Sequence, residues 1–399
     1  MKKRKIIIYL IVGVMIVATV AGILAPFMAY GAEPQDMDRT MNEISGISIE
    51  EFQLEDIEKF LEGLAGEYPV SFSFGELMQE IMKGNLQNVL KLCTESIKNV
   101  LLGELKTNTA LMGQVVVLAL IGAVFSSFSG IFGSGHVSET GFYVVYLLTM
   151  TFLAASFFAS VEIAANLTGD LLEFMQVLLP AYFLAVAAAG GALTSAAICG
   201  FTIGAIGLVQ SVMSQILIPF TRVYMIMVLA GNLYKEDMIS KLTELLGNVI
   251  TWAMKAMFGV IVGFHVIQGM VLPQADAMKN ASAMRLAQMI PGIGAGAGAV
   301  SQILMGSGVL IKNTAGAATV VILCIMAAVP MVKLAILMIL YYLAAAAMQP
   351  VCDKRLVACM TGAAVGHGIL LKIAGYSLAL FAVTIAVICV STNAVWYAG

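Results

Sequence analysis

Ionisable side chains set inside long apolar runs are the residues of this sequence best placed to do chemistry. Glu162, Arg222, Lys255, Lys312, Lys333 and Lys372 each interrupt a stretch that is otherwise nearly free of charge. A charge at the centre of a lipid-embedded helix costs about 2.5–3.5 kcal/mol on insertion scales, so such residues face a bundle interior or a wet cavity. Near the end of a run they snorkel to the headgroups instead, and that accounts for Glu162, Lys255 and Lys372. Arg222 and Lys333 lie deeper and are candidates for a transport pathway or a buried pair.

Proline and glycine supply the second kind of candidate. Pro180 and Pro219 are 39 residues apart, as are Pro291 and Pro330, and each second proline is followed three positions later by a cation, Arg222 or Lys333. Both first prolines lead into interrupted, small-residue segments, one with Gly190 and Gly191, the other with Gly292, Gly294, Gly296 and Gly298. Paired broken segments in two halves of a membrane protein are where transporters place their pathway. Residues 177–235 and 288–346 are therefore a candidate internal repeat. Pro180, Gly190, Gly191, Pro219, Arg222, Pro291, Gly294, Lys312, Asn313, Pro330 and Lys333 are the candidates to line or gate a path.

Other chemistry has little to stand on. The glycine run at 292–298 has the letters of a phosphate-binding fingerprint but no preceding strand, and in lipid such density permits close helix contact. His136, His265 and His367 are far apart, and there is no metal-binding spacing. Of the six cysteines only Cys93 lies in the polar region, so there is no disulfide framework to read. Serine and acid placements form no nucleophile motif. No catalytic residue, cofactor or metal is expected, and no nucleic-acid partner.

The elements that must position these residues follow from composition. Hydrophobic residues make up 60% of the 399 and charged ones 11%, against about 25% charged in an average soluble domain. Residues 1–106 hold 15 of the 24 acids and 10 of the 21 basic side chains, which leaves 20 charges for the other 293 residues. A bilayer-spanning helix needs about 20 apolar residues, so that region has room for about six to eight. Apolar spans are readable at 110–132, 142–165, 177–199, 202–232, 249–272, 315–345 and 367–391. The uncharged stretch 174–221 is long enough for two crossings, turning at Gly190-Gly191 or near Gly200. The segment 249–272 either crosses or lies at the interface.

Lys2, Lys3, Arg4 and Lys5 followed by an apolar run from Ile6 to Ala25 form an export signal. It is either cleaved after Gly31 or kept as an anchor, so residues 1–31 are a signal peptide or N-terminal anchor. The stretch 32–106 is acidic, exported and helical. Ser48 with Glu51 and Ser73 with Glu76 have capping-box spacing. Ile57, Phe60, Leu61 and Leu64 mark one helical face, and Leu86 to Leu101 another helix. This region is either a cap packed on its own membrane domain or a docking module for partners.

The ordered features resemble the stage III sporulation protein AE family of endospore-forming bacteria. They are the exported start, the acidic helical stretch, the polytopic body, and Ile290-Pro291-Gly292-Ile293-Gly294 leading on to Gly308-Val309-Leu310-Ile311-Lys312-Asn313. The resemblance implies a component of a sporulation channel complex in the mother-cell membrane that engulfs the forespore, sustaining late forespore development. Its implied partners are other stage III sporulation membrane proteins, including ring-forming proteins and a cytoplasmic ATPase, and a forespore protein reaching across the intermembrane space. The expectation is an all-α, multi-pass membrane protein contributing the membrane-embedded part of an export or feeding channel. A stand-alone secondary permease for a small solute is the alternative, and a scaffold without a pore a third.

Overall fold

The computed structural model describes residues 54–64, 73–83, 135–189, 192–233, 239–288, 294–350 and 352–397, with isolated positions 88, 113, 117, 121 and 124. The described elements are all helical: α1 (Leu54–Leu64), α2 (Phe74–Met82), α3 (Gly135–Ala188), α4 (Ala192–Val212), a π-helical stretch Met213–Leu217, α5 (Ile218–Gly231), α6 (Ser240–Gln288), α7 (Gly294–Met348) and α8 (Lys354–Tyr397). Five stretches of helix are long and apolar enough to cross a membrane: Phe142–Ala188, Cys199–Gly231, Ser240–Gln268, Gly306–Met348 and Lys354–Val390. The expected export signal at 1–31, the expected Ser48–Glu51 cap and, apart from helical position 88, the expected helix at 86–101 lie outside the described residues. So does the span at 110–132, apart from four helical positions.

Two of the expected boundaries are corrected. The span at 142–165 runs on into the first part of the one expected at 177–199, because α3 is one 54-residue helix that includes Pro180 and ends at Ala188, while residues 192–199 belong to α4. Residues 166–176 join them with Leu171, Leu172, Glu173, Met175 and Gln176, all strong helix formers, so charge does not break the helix there. Likewise α6 continues for 49 residues, carrying Asp276, Lys279 and Arg285 on helix rather than in a loop. At 1.5 Å per residue, α3 and α7 are each about 80 Å long, well beyond one bilayer core.

The candidate repeat takes two different courses. Between Pro180 and Pro219 the chain ends α3, starts α4 and passes through the π stretch. Up to Pro330, by contrast, α7 runs without interruption from Gly294. Pro219 is tolerated at the second position of α5, just after Ile218 N–H reaches five residues back to the Met213 carbonyl. Pro330 is buried inside α7, and Pro180 is exposed on α3.

The long helices alternate in direction between two ends. At the proximal end, the Tyr146 hydroxyl of α3 donates to the Leu229 carbonyl of α5 and lies 3.0 Å from Cys359 Sγ of α8. At the distal end, α3 closes against Gly308 of α7, and Lys312 of α7 reaches Cys389 of α8. The antiparallel pair α7 and α8 makes the most extensive contact, with α3 across both and α6 along α8.

The short helices α1 and α2 fold onto this bundle. Ser73 and Glu76 form the expected capping box, Glu76 N–H donating to Ser73 Oγ at 3.0 Å and Ser73 N–H to Glu76 Oε2 at 3.2 Å. Gly75 N–H donates to Glu58 Oε1 at 2.9 Å and ties α2 to α1. Ile57, Leu61, Phe74, Leu77 and Met78 are buried in the common core, and the Phe60 ring sits 5.9 Å from that of Phe174 on α3. The apolar face of this short pair is thus spent on its own membrane domain, while Glu55, Asp56, Lys59 and Glu62 face outward.

Candidate functional site

The residues singled out by sequence fall at different depths of the bundle. Lys312 is fully buried, and its ammonium donates to the Cys389 carbonyl at 3.2 Å. On the next residue, Asn313 Oδ1 accepts from the Cys389 thiol at 3.0 Å. One turn before, Gly308 lies so close to α3 that a Cβ there would be 2.7 Å from the Ala189 nitrogen and 2.8 Å from the Ala188 carbonyl carbon. One turn after, a Cβ at Gly316 would meet the Tyr182 hydroxyl at 3.1 Å. Gly308, Lys312 and Gly316 therefore form one stripe of α7, at the i, i+4 and i+8 spacing of a helix face, with Asn313 beside it. They knot the distal ends of α3, α7 and α8 together. The small residues let backbones approach, and the lysine supplies a donor to an α8 carbonyl.

Arg222 and Lys333 do not make a buried pair. Arg222 is exposed on α5, and Lys333 is half-buried on α7. Glu162, Lys255 and Lys372 are exposed, as snorkelling residues should be. Gly190, Gly191 and Pro291 lie outside the described residues, while Gly294 opens α7. Among the described residues no group of three His, Cys, Asp or Glu side chains is placed to hold a metal.

A second buried polar group was not anticipated from sequence. Tyr341 of α7 donates its hydroxyl to Ser156 Oγ of α3 at 2.6 Å, and Ser160 Oγ lies 3.0 Å from His367 Nε2 of α8. His367 Nδ1 faces the Ala363 carbonyl at 2.8 Å, so a neutral ring carries its proton there and leaves Nε2 to accept from Ser160. The Phe157 ring packs edge-on to the imidazole at 5.3 Å, and the Tyr341 ring lies 5.0 Å away. Ser156 with Ser160 on α3 is the one local signal, a four-residue spacing that puts two hydroxyls on one face. Nothing near them in sequence names Tyr341 or His367 as partners.

Closer to the proximal end, Arg355 lies 3.4 Å over the Phe142 ring and donates to the Leu233 carbonyl at 3.3 Å. Asp353 pairs with it from the preceding turn at 3.3 Å. This latch holds the starts of α3 and α8 to the end of α5. Beside it, burial and the Asp353 carboxylate push the Cys352 thiol above its ordinary range, which makes it a poor nucleophile.

Long apolar helices joined by buried hydroxyl, imidazole and ammonium contacts define a polytopic helical membrane protein. The sequence profile of stage III sporulation protein AE matches residues 72–392, and the chain belongs to that family. It is similar to stage III sporulation protein AE of Bacillus subtilis (strain 168), 23% identical over 299 residues that cover 72% of this chain and 74% of that protein. No solved structure matches the chain. The matched region takes in the distal knot, the Ser156–His367 group and all five long apolar helices.

Proposed function

We propose that this sporulation-associated membrane protein is the membrane-embedded component of a multiprotein channel or secretion complex between mother cell and forespore. It sits in the mother-cell membrane around the forespore and serves late forespore development. Family membership supports the sporulation setting, and one structural observation carries the complex: α1 and α2 spend their apolar faces on the bundle and turn an acidic face outward. An exported, acidic surface anchored to a rigid membrane body is suited to docking. Ring-forming stage III proteins are its partners on that side, and a cytoplasmic ATPase meets the opposite end.

The partner test is co-purification from sporulating cells. Wild-type protein brings other stage III membrane proteins with it, and reversal of the outward acids (E55K/D56K/E62K) lowers that yield without lowering the protein's own level. Recovery of the protein alone, with solute uptake by the purified protein in vesicles, would instead favour a solitary permease. A role for Arg222 and Lys333 in a path is checked by Arg222→Ala and Lys333→Ala. Normal spore formation at normal protein level removes both from the pathway.

A further inference from the structure

Two opposite kinds of surface lie at one depth of the bundle. Phe60 of α1 lies 5.9 Å from Phe174 of α3, which sits 14 residues, about 21 Å, before the end of α3 at Ala188. On the other side of the turn, the same 14 residues of α4 lead from Ala192 to Ile206. Phe201 of α4 stacks on Phe264 of α6 at 4.0 Å, and the two helices run in opposite directions, so Ile206 is level with Gly259. A second route agrees. Gly308 of α7 faces the end of α3, Gly316 faces both Tyr182 of α3 and Ile385 of α8, and Phe258 of α6 lies 5.7 Å from Tyr376 of α8. Counting residues along these contacts puts Phe174 level with Ile322, then with Ala379 and with Ile261, which is two residues, about 3 Å, from Gly259.

On the α1 side this depth is charged. Lys59 and Glu55 of α1 form an exposed ion pair of 2.7 Å, and Glu173 and Gln176 are exposed on α3 to either side of Phe174. Such groups need water. On the α4–α6 side the same depth exposes Ile203, Leu208, Val260 and Phe264, with Leu208 at 61% and Val260 at 71%. The sequence carries no charge from Cys199 to Thr221 or from Ala256 to Gln268. A single medium around the bundle would strand one of these surfaces, and a contiguous apolar patch level with water-seeking charges marks a protein contact.

The patch holds hollows as well as ridges. Gly200 and Gly204 of α4 and Gly259 and Gly263 of α6 are exposed, and a Cβ at any of them would meet nothing within 4 Å. Small residues so placed let a second backbone approach. The register of Phe201 on Phe264 brings Val260 within one residue of the depth of Gly204, Val266 within one of Gly200, and Ile203 within one of Gly263. A twofold axis parallel to the helices preserves depth and sets α4 of one copy against α6 of the other. Each ridge then meets a hollow at its own level, and no charge is buried.

We propose that two copies of this chain pair through the α4–α6 face, with Val260 and Val266 of one copy entering at Gly204 and Gly200 of the other. The pairing leaves α1, on α3, and α2, on α7, uncovered, so it forms whether or not those helices dock other proteins.

Energy transfer between full-length copies fused to donor and acceptor fluorescent proteins tests the pairing, in vesicles with lipid in large excess. Unsubstituted protein is expected to transfer above the level of random encounter, and Gly204→Leu/Gly263→Leu protein to fall to that level. The unfolding temperature of the variant should hold, because both new side chains enter open space. Transfer at the random level in unsubstituted protein overturns the proposal and gives the face to lipid or to another protein. Transfer unchanged by the two substitutions places the contact on another face and overturns it too. Cross-linking needs no bulky substitution. When copies carrying only Gly204→Cys are mixed with copies carrying only Val260→Cys, oxidation is expected to join one of each. A yield no higher than with copies carrying only Leu148→Cys, exposed on α3, in place of Val260→Cys overturns the proposal.

Discussion

In the proximal half of the bundle glycines make room for side chains; in the distal half Gly308 makes room for backbone. Gly362 admits Val228 and Gly366 admits Phe157, and both neighbours have side-chain rotation with which to yield. Gly308 faces the Ala188–Ala189 peptide, which can yield only by moving the end of α3. The proximal half is also joined through hydroxyl, imidazole and guanidinium groups, whereas the distal half relies on Lys312 and Asn313 reaching Cys389 and on close backbone approach. Helices that meet through side chains can adjust by rotamer, and helices that meet through backbone are fixed in register.

Substitutions at these glycines separate the two halves most sharply. Gly308→Leu is expected to prevent accumulation of folded protein, and Gly308→Ala to cost about 1–3 kcal/mol of stability or more. Gly362→Ala is expected to cost less, although Val228 lies closer still, because the nearest atom there is a side-chain methyl. Thermal unfolding in detergent checks the order, and a larger loss at Gly362 would break the distinction.

Lys312 is the next test of the distal knot. Lys312→Ala removes both the donor to Cys389 and the stem that fills the space, for a loss of about 2–5 kcal/mol. Lys312→Met keeps the stem and is expected to lose no more than about 1.5 kcal/mol, since buried ionic groups contribute little net stability over an apolar replacement. Equal losses would mean that the ammonium, not the packing, holds the knot.

In the proximal half Tyr341→Phe should be milder. It deletes the 2.6 Å hydrogen bond to Ser156 while keeping the ring against His367, for about 1 kcal/mol. The smallest effect belongs to α1, where the Lys59 ammonium beside Glu55 holds that carboxyl below its usual range. The pair's contribution is present above the ordinary carboxylate value and fades as pH falls through the lowered one. Because both groups are fully exposed, Glu55→Gln should leave the unfolding temperature unchanged at neutral pH.

Helical character, the apolar body and the Ser73 capping box were legible in the sequence because each is a local pattern. Span boundaries were less so. Hydropathy marks where lipid could sit, but Pro180 and the acids at 170 and 173 did not end a helix whose flanks favour continuing it. The proline spacing suggested a repeat, yet only tertiary packing shows that α7 runs straight where α3 and α4 turn. Lys312 and Asn313 stood out as polar residues in an apolar run, but their partner Cys389 is 77 residues away, and no local rule links them.

The fixed register of the distal half is tested most directly by the unfolding temperatures of Gly308→Ala and Gly362→Ala protein, measured side by side in one detergent. The packing predicts the larger drop at Gly308, where the new methyl meets the Ala188–Ala189 peptide. An equal or larger drop at Gly362, where the new methyl meets the Val228 side chain, would contradict the account.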